Sequence, residues 1–188
     1  MSPDEKKRLF KLLSLCLSYP DEALAAAAPE LLEAAAGLQD PGLRERLSAF
    51  AAQLAAEPLL GLQEHYTALF DLHPQASLNL TYHLMGDREE RGRALAGLLA
   101  LYQRSGFEPA VNELPDFLPL MLEFLSLAPQ AAEDPLLSRC LGAVPMLLGH
   151  IAQQPSIYAV PLEILARIQP AAAGKLDAAD GLSAAVEE

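Results

Sequence analysis

Glu113-Leu-Pro-Asp-Phe-Leu-Pro-Leu-Met-Leu-Glu-Phe-Leu125 is the stretch on which the fold turns. Its apolar residues run almost all the way round a helix, which predicts a central, buried helix of an all-helical domain. Two acids interrupt it. On such a helix Asp116 and Glu123, seven residues apart, would lie about 20° apart around the axis, with Leu120 between them on the same stripe. Acids seldom sit on so apolar an element unless they are paired, or unless the stripe opens onto a groove. Two readings stay open. In one, Asp116 lies in the first helical turn and stabilises the dipole, while Glu123 bonds to a neighbour. In the other, both form the acidic side of a peptide groove lined by Leu120 and its neighbours. A separation of about 10 Å along the axis is too long for a shared proton or for the paired carboxylates of a retaining glycosidase.

Outward from this segment the chain reads as helix after helix. Ser2-Pro3-Asp4-Glu5 is an N-cap, a first-turn proline and dipole-matching acids. Leu9, Leu12, Leu13 and Cys16 then form one apolar stripe, ending before Pro20. Asp21 caps a second stretch running to about Gly37, with an irregularity at Pro29. Asp40-Pro41 starts a third helix, and Pro58 a fourth that carries Leu62, Tyr66, Leu69 and Phe70. Leu72 to Ser77 breaks the pattern, and Leu78 to Met85 is a short helical or extended piece. Asp87-Arg-Glu-Glu90 is a capping box opening an amphipathic helix with Leu95, Leu98, Leu99 and Tyr102, closed by Gly106. A helix from Pro115 follows, then one from about Asp134 to Gln153, and a last one around Pro161 to Ile168. The expected architecture is all-α: a single bundle of about seven to eight helices over residues 1–170. Beyond Pro170 the composition turns to Ala, Gly and Asp, which predicts a disordered acidic tail over 171–188.

Charge excludes some partners. Thirteen basic against 25 acidic residues give a net charge of −12. Phosphate binding needs clustered Lys and Arg, so nucleic acid is disfavoured, and an anionic lipid surface would repel the chain. No apolar run approaches the roughly 18 residues of a spanning helix, and the charged N-terminus has no long apolar region behind it. The expectation is a soluble cytoplasmic protein in which Cys16 and Cys140, each on an apolar helical pattern, are buried free thiols.

Chemistry-bearing motifs are missing. No glycine-rich phosphate loop, Cys-x-x-Cys pair, His-Glu-x-x-His or Gly-x-Ser-x-Gly elbow occurs. His65, His73, His83 and His150 lack the i, i+4 spacing of two metal ligands, and Asp71-x-His73 offers only two. Arg88, Arg91 and Arg93 read as a solvated helix start with pairs to Glu89 and Glu90. Gly92, early in the same helix, suggests close approach of another backbone. No enzyme, metal or cofactor is expected.

Several segments in order resemble the nitrate reductase molybdenum-cofactor assembly chaperones, the NarJ or delta-subunit family within the TorD-like redox-enzyme maturation chaperones. They are Leu13-Ser-Leu-Cys-Leu-Ser-Tyr-Pro-Asp-Glu22, Tyr66-Thr-Ala-Leu-Phe-Asp-Leu72 with Ser77-Leu78, and Leu80-Thr-Tyr-His-Leu-Met-Gly-Asp-Arg-Glu-Glu-Arg-Gly-Arg-Ala-Leu95. Tyr102 with Gly106 and the 113–125 segment complete the set. The chain departs from the pattern at Met85, where relatives commonly have histidine before the glycine, and at His73-Pro-Gln-Ala76, where their loop is often basic.

The resemblance implies a non-catalytic cytoplasmic chaperone. Its partner would be the apo form of the molybdenum-containing catalytic subunit of nitrate reductase, bound in part through that subunit's N-terminal segment. Binding would keep the subunit open to cofactor insertion and prevent premature membrane docking. Matched residue by residue, the resemblance points to Tyr66, Phe70, Asp71, Tyr82, His83, Arg91, Asp116, Leu120 and Glu123 as client contacts. Phe70 and Leu120 would be apolar anchors and Tyr82 an amphipathic one. Asp71, Asp116 and Glu123 would accept client Lys or Arg, and Arg91 would tie the loop before Gly86 to the body. A sister chaperone that binds the twin-arginine signal peptide of another molybdenum oxidoreductase is the alternative, and a helical subunit retained in the mature enzyme a third.

Overall fold

Small polar side chains decide where these helices begin. The Ser2 hydroxyl accepts the Glu5 N–H at 3.2 Å, and Asp21 accepts that of Leu24 at 2.7 Å. Asp40 accepts from Gly42 and Leu43 at 2.8 and 3.1 Å, and Asp134 from Leu136 and Leu137 at 2.9 and 3.2 Å. Each satisfies amide groups that a helix start leaves without an intrahelical partner. In the computed structural model, which describes residues 1–86, 88–109 and 113–169, the helices are α1 (Pro3–Leu17), α2 (Glu22–Ala26), α3 (Ala28–Ala36), α4 (Pro41–Ala56) and α5 (Leu59–Tyr66). They continue as α6 (Leu80–Met85), α7 (Glu89–Arg104), α8 (Leu118–Leu127), α9 (Pro135–Leu141), α10 (Val144–Ile151) and α11 (Ala159–Ile168). The described residues hold no strand, only an isolated antiparallel bridge between Asn79 and Phe117.

The core is centred on α1 against α8. Leu9, Phe10, Leu13 and Leu17 meet Leu118, Met121, Leu122 and Leu125, all fully buried. Burying each such side chain contributes roughly 1.5–3 kcal/mol. The Ser14 hydroxyl crosses the interface to the Pro119 carbonyl at 2.8 Å, so the polar group buried there has a partner. From Leu118 to Ser126 only Glu123 escapes burial. The central apolar helix and the all-α class are as expected.

Its start is not. The helix expected from Pro115 begins at Leu118, and Asp116 lies outside it. Had it begun at Pro115, Pro119 would fall in its interior and clash with the carbonyl four residues earlier. Starting at Leu118 puts Pro119 in the first turn, where a missing N–H costs nothing. The freed backbone pairs elsewhere: Leu80 N–H donates to the Asp116 carbonyl at 3.0 Å and Leu118 N–H to that of Leu78 at 2.9 Å. Asp116 and Glu123 therefore share no helical stripe.

The same rule divides the helix expected over Asp134–Gln153. Pro145 cannot sit inside a helix running from α9, so the chain breaks at Gly142-Ala143 and restarts as α10. The irregularity near Pro29 becomes a break between α2 and α3 at Ala27. These breaks yield more, shorter segments than the expected seven or eight. Gly106 at φ 70° follows the end of α7 as expected, whereas a methyl group on Gly92 would meet nothing within 4 Å, so no backbone approaches it. Leu99 faces outward. Asp87 of the capping box and the tail 171–188 lie outside the described residues. Cys16 and Cys140 are buried free thiols.

Candidate functional site

The helix begun at α5 does not end at Tyr66 but widens into a π turn over Thr67–Asp71. Such turns are frequent where a helix must re-aim side chains at a site. Here the Phe70 ring points inward, edge-on to Tyr66 and Tyr158 with centroids at 4.8 and 5.3 Å, while Asp71 stays exposed. Phe70 and Asp71 form one wall of a cleft of about 430 Å³. Pro74, Ser77 and Asn79 from the following connection form its edge, and Tyr82 of α6 and Arg91 of α7 close it.

Beneath the cleft lies a polar clasp centred on Asp116, whose side chain is fully buried. One carboxylate oxygen accepts Asn79 Nδ2 at 3.0 Å; the other accepts the Thr81 amide at 3.1 Å and the Thr81 hydroxyl at 2.5 Å. Arg91 Nε donates to the same hydroxyl at 3.1 Å, and an Arg91 Nη lies 3.8 Å from the carboxylate. The guanidinium also sits over the Tyr82 ring at 5.8 Å. A buried carboxylate with three donors and a nearby cation is well compensated for its lost water. The clasp thereby pins α6, α7 and the segment before α8 into one wall.

The nine residues matched to the family separate accordingly. Phe70, Asp71, Tyr82 and Arg91 meet in the cleft. Asp116 supports it from within, out of reach of a visiting side chain. His83 Nε2 donates to the Ser77 carbonyl at 2.7 Å and so fixes the edge. Tyr66 is buried behind Phe70, its hydroxyl donating to the Leu17 carbonyl at 3.0 Å; burial, and then the Asp71 carboxylate, push that phenol well above its ordinary range. Leu120 is a core residue. Glu123 pairs with Lys11 at 2.6 Å on the half-exposed seam between α1 and α8. Asn79 and Thr81 were not among the matched residues, although Ser77-Leu-Asn-Leu-Thr81 alternates polar and apolar, the signal of an extended edge.

Among the described residues no group of three or more His, Cys, Asp or Glu side chains could hold a metal ion, and no helix is long and apolar enough to cross a membrane. Burial alone pushes the Cys16 thiol up to about 12, and Cys140 rises to about 12 through burial and then nearby Asp116. Neither is a ready nucleophile.

Shape gives the class first. The helical bundle is similar to a crystal structure from Archaeoglobus fulgidus described as a redox enzyme maturation protein, with a TM-score of 0.64 and 25% identity over 86% of this chain and 92% of that one. Residues 20–145 match the family model described as nitrate reductase delta subunit. The chain is 35% identical over 165 residues, 88% of its length and 90% of the relative's, to the Bacillus subtilis (strain 168) protein named "Probable nitrate reductase molybdenum cofactor assembly chaperone NarJ". It is 33% identical over 159 residues to the Escherichia coli (strain K12) protein named as the same chaperone, covering 84% of this chain and 67% of that one. The chain belongs to the nitrate reductase delta subunit family.

Proposed function

We propose that this chain is a cytoplasmic chaperone for the apo catalytic subunit of respiratory nitrate reductase. It binds that subunit in part through its N-terminal segment, holds it competent for molybdenum-cofactor insertion and delays its docking at the membrane. The observation that carries this reading is the similarity to a chaperone of that name over 88% of the chain. The cleft supports it. Phe70 and Tyr82 supply apolar surface, and the exposed Asp71 supplies a carboxylate for a client Lys or Arg. A net charge of −12 favours a basic segment in the same sense. The clasp holds this surface rigid before a partner arrives, which lowers the ordering cost of binding.

The test is calorimetric titration with a peptide from the N-terminus of the nitrate reductase catalytic subunit encoded in the same genome, at two salt concentrations. Micromolar or tighter binding that weakens with salt supports the reading. Silence toward that peptide, with binding of a twin-arginine signal peptide from another molybdenum oxidoreductase, transfers the protein to the sister-chaperone reading.

A further inference from the structure

A second and larger cavity, about 560 Å³, opens where the end of α4, the middle of α5 and the start of α11 meet. Its lining is mixed. Leu62 and Val160 are apolar, Glu57 is an exposed carboxylate, and His65 and Ser156 form a polar wall. That wall is rigid: His65 Nε2 and the Ser156 hydroxyl are 2.9 Å apart, and the imidazole stacks on Tyr158 at 5.7 Å and 15°.

Gly61 is the informative residue. It lies inside α5, where glycine costs roughly 1 kcal/mol relative to alanine. Its φ is not positive, and a methyl group built on it would meet nothing within 4 Å. Neither turn geometry nor packing within the chain accounts for it. It does line the cavity, and a missing side chain there leaves room for another backbone to pass close to the helix.

We infer that this cavity is a second seat for the client polypeptide. It receives a segment that lays its backbone over Gly61, sets a bulky apolar side chain against Leu62 and Val160, and brings a Lys or Arg to Glu57. The inference rests on the chaperone reading above and adds to it a contact separate from the cleft. The two seats share a support: Tyr158 touches both His65 of this cavity and Phe70 of the cleft, at 5.7 and 5.3 Å. They also lie along one continuous run, α5 and its π turn, so a single client can engage both. Charge selects the occupant, since Glu57 is the only acid lining the cavity and the chain as a whole carries −12.

The test titrates the full chain with the same catalytic-subunit peptide and with the purified apo catalytic subunit, using wild type, Gly61→Leu and Glu57→Lys. Filling the seat with leucine weakens binding of the apo subunit by about tenfold, the scale of a lost anchor. Its melting temperature stays level or rises, because leucine is the better helix former. Glu57→Lys weakens binding at low salt, and high salt removes the difference. Loss of affinity without loss of stability is a result that a purely structural glycine does not produce. If wild type binds and both variants bind as tightly, the seat is refuted and the chaperone reading stands. If wild type binds neither probe, both readings fall together.

Discussion

The carboxylate of Asp116 takes both hydrogen bonds that Thr81 can donate, from the backbone amide at 3.1 Å and the hydroxyl at 2.5 Å. One residue thus ties the segment entering α8 to the first turn of α6, and the same hydroxyl accepts Arg91 from α7. Removing the carboxylate leaves three donors and a cation without their acceptor in a site closed to water. Asp116→Ala is expected to lose about 3 kcal/mol, the scale of a broken buried charge pair. Urea unfolding checks it, and a double-mutant cycle with Thr81→Val should show strong coupling between the two residues.

The two cysteines give a clean probe of global opening. Both thiols are buried and held near 12, so only a trace of thiolate exists at pH 8. A colorimetric thiol reagent is expected to find neither Cys16 nor Cys140 in the native protein and both in denaturant. Fast stoichiometric labelling of the native chain would contradict their burial.

The Tyr158 hydroxyl is buried without a hydrogen-bond partner at the centre of a ring cluster that includes Phe50, His65, Tyr66 and Phe70. The ring earns its place by packing; the hydroxyl carries a desolvation cost of roughly 1–3 kcal/mol. Tyr158→Phe keeps the ring and is expected to leave stability unchanged or to raise it by about 1 kcal/mol. A marked drop in denaturation midpoint would reveal a partner for that oxygen.

Local rules and the apolar pattern made much of this fold legible. The caps at Ser2, Asp21 and Asp40 and the stripe through Leu9, Leu13 and Cys16 all lie on helices where the residues placed them. The start of α8 was also readable in principle, since Pro115 and Pro119 are four apart and cannot share a helix interior. Asp116 was harder. Its burial depends on partners 35 and 37 residues away, Thr81 and Asn79, and no local periodicity reports such pairing. The π turn over Thr67–Asp71 is similarly hidden, because packing of Phe70 against Tyr158 from α11's entry accompanies it. The family match identified four residues that do converge on the cleft, but it could not separate surface contacts from the supports behind them.

Acid should weaken the start of α4 in a predictable way. Asp40 is held below its ordinary 3.8, first because it accepts the Leu43 N–H, with help from Gly42 and Arg167 and against some desolvation. A lowered folded value means its stabilisation is complete above the unfolded value and is lost as pH falls through the folded one. Asp40→Asn can still accept the amide hydrogen bond but does not titrate. The stability gap between wild type and this variant is therefore expected to be widest above about pH 4 and to narrow below it. Thermal melts over that range measure it.

Client affinity and stability should part company among the family-matched residues. Asp71 and Tyr82 face the cleft, so Asp71→Asn is expected to weaken binding of the catalytic-subunit peptide several-fold at low salt only, and Tyr82→Ala at any salt. Neither should shift the melting temperature much, because Asp71 is exposed and Tyr82 only half-buried. Leu120 belongs to the core, and Leu120→Ala is expected to cost about 2–5 kcal/mol of stability while affinity of the remaining folded protein stays the same. Glu123 pairs with Lys11 in partial exposure, so Glu123→Gln should change stability by about 1 kcal/mol or less and affinity not at all. Paired titration and unfolding of these four variants decides the matter. Loss of affinity on Glu123→Gln would move the client interface from the cleft to the α1–α8 seam.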